Sequence, residues 1–100
     1  MNQKRNSIMS NNRRQDFIRT QIRKLVEEGL VQMRRPDLTD EYSSIWIEYS
    51  RQVLEIITRE YNPDILLNYM KVIMSIQPQL RPYQKIGICL DYLIGVLRII

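Results

Sequence analysis

The chain of 100 residues has no histidine, no alanine and a single cysteine, Cys89. Without histidine there is no zinc site built from Cys and His, no Ser-His-Asp triad and no Cys-His dyad. A lone cysteine excludes an intrachain disulfide and a CxxC redox pair. Only three glycines occur, Gly29, Gly87 and Gly95, too dispersed for a phosphate-cradling loop, and neither GxxxxGK[ST] nor GxGxxG is present. The acids Asp37, Asp40 and Glu41 cluster before a helix start, where the helix dipole accounts for them without a metal. No nucleophile, base or metal constellation can be assembled, so the sequence reads as that of a non-enzymatic protein with no cofactor and no metal.

Long apolar runs are also missing. The longest, Ile86 to Ile100, is interrupted by Asp91 and Arg98 and falls short of the roughly 20 residues of a membrane span. The first dozen residues, MNQKRNSIMSNN, lack the apolar core of a secretory signal, and the Asn content and Asp16 argue against a mitochondrial presequence. The expected location is intracellular, in cytoplasm or nucleus.

What is present suits one folded domain. Apolar residues make up 44% and charged residues 26%, close to the globular average. A chain of this size exposes roughly 17,500 Å² unfolded and about 6,000 Å² folded, enough burial for a core without staples. The charge is uneven. Residues 1 to 35 carry Lys4, Arg5, Arg13, Arg14, Arg19, Arg23, Lys24, Arg34 and Arg35 against three acids, a net +6, whereas residues 36 to 100 carry six cations against eight acids, a net −2. A positive end on an unbiased body suits a polyanion.

Residues 1 to 12 are polar and basic, with little to pack, and are expected to form a flexible arm ahead of a single helical domain, 13 to 100. Ile18, Ile22, Leu25, Val26, Gly29, Leu30 and Met33 recur at steps of three and four and predict a helix over about 13–34, closed by Pro36. Thr39 caps a second helix, about 40–60, whose stripe of Tyr42, Ile45, Trp46, Tyr49, Val53, Ile56 and Ile57 is expected to face the core. Asn62 followed by Pro63 starts a third, about 63–76, apolar over most of its circumference and expected to be central. The last, about 82–100, alternates like a strand, but its length and the lack of a pairing partner favour helix. The expected fold is all-α, a four-helix bundle-like domain.

At 100° per residue, Arg13, Arg19, Arg23, Lys24 and Arg34 project opposite the first helix's apolar stripe. With Lys4, Arg5, Arg14 and Arg35 they form a candidate surface for nucleic-acid phosphates. Arg23 with Glu27 and Lys24 with Glu28 could instead be surface ion pairs worth a few tenths of a kcal/mol. Phe17 is the only aromatic among the first 41 residues, so backbone contact is expected rather than base stacking. An anionic lipid surface fits less well, since the helix lacks Trp and its apolar side is needed for the core.

Surplus apolar surface on the last two helices points to a homodimer or, as the rival function, to an adaptor or regulator that takes a partner protein on helices two to four. Gly87 and Gly95, flanking Asp91, are expected to admit a close helix crossing. Ile47, Leu54 and Tyr61, seven apart, form a second candidate contact row. Ile99 and Ile100 either dock or lead into a longer chain. Cys89, among aliphatic neighbours, is expected to be buried and inert.

Overall fold

The computed structural model describes the backbone from Gln3 to Ile100 and the side chains from Asn12 onward. Four helices follow one another: α1 (Gln3–Met33), α2 (Asp40–Thr58), α3 (Pro63–Met74) and α4 (Pro82–Ile99). The last three start where their punctuation predicts. Thr39 is extended, and its hydroxyl accepts from the Tyr42 amide at 3.2 Å. The Asn62 side chain accepts from the Asp64 amide at 3.1 Å with Pro63 in the first turn. Arg81 donates its amide to Gln84 Oε1 at 2.9 Å, and Pro82 follows. Helix α1 begins ten residues before the expected Arg13. The side chains of the expected arm, Lys4 and Arg5 among them, lie outside the described residues.

Neighbouring helices run antiparallel. Gly29 of α1 meets Trp46 of α2 and Leu90 of α4, Ser50 of α2 meets Tyr69 of α3, and Tyr92 of α4 donates to the Ile65 carbonyl of α3 at 2.6 Å. Helices α2 and α4 lie parallel across the short diagonal, their first turns joined by Lys85 and Asp40 at 3.2 Å. Among the described residues, helices α1 and α3 are not neighbours. The core is filled by Ile18, Ile22, Leu25, Trp46, Leu54, Tyr69, Ile86, Leu90 and Leu93 with their neighbours.

Two expectations about the interior are corrected. Helix α3 is peripheral, since only Ile65 and Tyr69 are buried on it and it packs on α2 and α4 alone, whereas α4 packs against all three others. An apolar circumference does not make a helix central when its neighbours fit better elsewhere.

The buried side of α2 is Ser43, Trp46, Ser50, Leu54 and Thr58, not the stripe of greatest hydropathy. Each buried hydroxyl is satisfied within its own helix. Ser43 donates to the Asp40 carbonyl at 2.9 Å, Ser50 to Ile47 at 2.7 Å and Thr58 to Leu54 at 2.6 Å. Small side chains that carry their own hydrogen bonds allow close packing against α3 and α4 at no desolvation cost. Helix α2 is thereby rotated, and Tyr42, Ile45, Tyr49 and Ile56 face outward.

Candidate functional site

Of the basic set, Arg13, Arg14, Arg23 and Lys24 are exposed on α1, and Arg34 is exposed in the turn that follows it. Among the described residues none of the five forms an ion pair, so the alternative pairs Arg23–Glu27 and Lys24–Glu28 are not made. Arg13, Arg23 and Lys24 fall within an arc of about 100° of α1 facing away from the core, spread over about 16 Å of helix, and Arg34 follows in the turn after it. Asp16 and Glu27 share that arc, leaving it with one net positive charge. Arg14 points toward the end of α2, where it lines a shallow cavity with Phe17, Ile56 and Arg59.

Arg19 and Arg35 occupy other positions than expected. Arg19 is half-buried and its guanidinium donates to the Ile100 carbonyl, which also accepts from Gln15 Nε2 at 2.6 Å. The side chain sits on the α4 flank of the apolar stripe, near enough to reach the open carbonyl at the end of that helix, and it serves as a cap. Arg35 is held by Asp37 at 3.1 Å and by Gln32 at 3.2 Å, and its guanidinium carbon lies 4.3 Å from the centre of the Tyr42 ring. The hydrogen bonds from Arg35 lower the Asp37 carboxyl below its ordinary value and raise Arg35 in turn.

The expected contact row on the back of α2 is corrected by the same helix rotation. Leu54 is fully buried, and Ile47 and Tyr61 pack half-buried against the core. Gly87 and Gly95 admit no close crossing within the chain. A methyl group at Gly95 would meet nothing within 4 Å, and one at Gly87 only the Met33 side chain at 3.7 Å. Asp91, Gly95 and Ile99 line a shallow cavity of about 370 Å³ against Asp64 and Asn68 of α3. Ile99 is exposed, whereas Ile100 packs against the core.

Two apolar faces stay open. On α3 these are Leu67, Met70 and Met74. Along the seam of α1 and α2 stand Phe17, Tyr42, Ile45, Tyr49 and Ile56, exposed by 55, 42, 58, 47 and 73%. The periodicity hid this second face because it assigned four of these residues to the core. The signal that could have exposed it is the set of hydroxyls at Ser43, Ser50 and Thr58, seven and eight residues apart. A shallow cavity of about 350 Å³ lies at the other end of the seam, floored by Trp46 between Gln32, Arg35, Tyr42 and Tyr49.

Inside, the Ser50 hydroxyl, its proton directed to Ile47, accepts from the Tyr69 hydroxyl at 2.6 Å. Tyr69 stacks on Tyr92 with ring centres 5.4 Å apart. Burial pushes the Tyr69 phenol up and raises the neighbouring Cys89 thiol from 9.0 to about 11. These groups hold their protons at neutral pH and serve packing. Among the described residues no group of three or more His, Cys, Asp or Glu gathers where a metal could bind. No described helix is long and apolar enough to cross a membrane. Compared with protein-family models, curated proteins and solved structures, the chain matches none.

Proposed function

We propose that the protein is a non-enzymatic helical binding protein that holds nucleic acid through its phosphates, using the outward side of α1. The observation that carries this reading is the set of exposed cations Arg13, Arg23 and Lys24 on the outward side of α1 and Arg34 in the turn that follows it, none engaged by a carboxylate. Arginine presents a planar fork that fits phosphate oxygens, and a straight helix face can lie along a duplex backbone. Base stacking by α1 is not part of the proposal, since Phe17 is the only aromatic residue on that helix.

Reversing Arg23→Glu together with Arg34→Glu should weaken binding to a 20-bp duplex at 50 mM salt about ten-fold or more, and should make the log–log salt slope about two units shallower. Circular dichroism should be unchanged, because both residues are exposed. Unchanged affinity in the double variant would reject this face. Arg19 is unsuited to the test, because its loss uncaps α4.

A second reading, an adaptor that takes a partner protein, has its own observation in the open α3 row of Leu67, Met70 and Met74. Flexible thioethers adapt to varied apolar partners. Binding of that kind responds weakly to salt and should be lost in Leu67→Lys.

A further inference from the structure

The open face along the α1–α2 seam is ordered like half of a helix pair. Tyr42, Tyr49 and Ile56 stand seven residues apart, and Ile45 and Gln52 alternate with them at steps of three and four, the spacing of a coiled-coil seam. This row faces solvent while a different side of α2 faces the core. The five apolar residues of the face leave on the order of 500 Å² open, which with the polar margins approaches the roughly 800 Å² per partner of a standard interface.

The two margins differ in charge. On one edge Arg14 and Lys24 project from α1, with Glu28 beside Ile45 and Tyr49. On the other, Glu41, Glu48 and Glu55 recur every seven residues along α2. Arg51 pairs with Glu48 at 2.8 Å and with Glu55 at 3.0 Å, and Arg59 with Glu55 at 3.4 Å, which leaves Glu41 as the acid of this row without an ion pair. A two-fold axis parallel to α2 exchanges the edges, so that Arg14 and Lys24 of each copy face the glutamate row of the other. An axis perpendicular to α2 would set that row against itself. Charge therefore favours the parallel orientation.

We propose that this face pairs with the same face of a second copy of the chain, with the two α2 helices parallel and in register. Gln52 is the polar member of the seam, and a polar residue there fixes register at some cost in stability. The nucleic-acid reading does not depend on this pairing, since Arg13, Arg23 and Arg34 lie outside the seam.

Sedimentation at tens of micromolar tests the pairing. The protein should sediment at about 24 kDa, twice the 12.1 kDa of one chain, and Ile45→Glu with Ile56→Glu should return it to 12.1 kDa with helicity retained. Parallel, in-register pairing also brings each seam residue against its own copy. Tyr42→Cys, Tyr49→Cys and Ile56→Cys should therefore each oxidise to a cross-linked dimer, while the parent chain, whose Cys89 is buried, should not. A 12.1 kDa parent, a dimer indifferent to the two glutamates, or cross-linking at Tyr49→Cys alone would each overturn the proposal.

Discussion

Gly29 sits where three helices converge. A Cβ there would lie 2.6 Å from Trp46 Cζ2 and 2.7 Å from Leu90 Cδ2, closer than carbon atoms pack. The glycine is required by this approach, since its backbone is ordinary helix. Gly29→Ala should cost about 1–3 kcal/mol from overpacking, set against a helix-propensity gain of about 1 kcal/mol. Gly95→Ala has only the gain, because nothing lies within 4 Å, and should stabilise by about 0.5–1 kcal/mol. Denaturant midpoints of the two variants should move in opposite directions. A pattern of helical glycines cannot tell these sites apart, because the difference depends on the partner helix. Arg19 makes the same point for charge: its sequence neighbours mark it as a surface cation, and only the end of α4, 81 residues away, makes it a cap.

Most element boundaries were legible in the sequence. Thr39, Asn62 and the prolines at 63 and 82 act on adjacent backbone, so local chemistry locates α2, α3 and α4. Which side of α2 turns inward was not, since hydropathy penalises Ser43, Ser50 and Thr58 for hydroxyls that the helix's own carbonyls satisfy. The rotation has a direct consequence for stability. Leu54→Ala should cost about 2–5 kcal/mol, the range for a fully buried leucine, whereas Ile56→Ala, at an exposed position, should stay within about 0.5 kcal/mol. Chemical denaturation distinguishes this from the hydropathy assignment, which orders the two in reverse.

The outer side of α2 also carries a pH-dependent contact. Hydrogen bonds from Arg51 and Gln52 hold Glu48 at about 2, below the ordinary carboxyl value of 4.5. The folded value lies below the unfolded one, so this contribution is present above pH 4.5 and is lost as pH falls toward 2. The denaturation midpoint of Glu48→Gln should fall below that of the parent at pH 6, and the two should converge near pH 2.

At the scale of the whole molecule, the charge division that the sequence shows is only partly a division of free surface. Two of the seven described cations in residues 1 to 35 are tied into the fold, Arg19 at the end of α4 and Arg35 beside Asp37. The five that stay exposed lie on α1 and, for Arg34, in the turn just after it, which leaves α2, α3 and α4 to build the rest of the bundle. If the four on the outward side, Arg13, Arg23, Lys24 and Arg34, meet phosphates, binding is dominated by counterion release, and its salt dependence counts the contacts. The affinity for a 20-bp duplex, measured between 50 and 200 mM monovalent salt, tests this most directly. About four contacts predict a log–log slope near −3.6 and a loss of roughly 150-fold across that range. An affinity that stays level with salt, or no binding at 50 mM, would contradict the assignment of α1 as a polyanion-binding face.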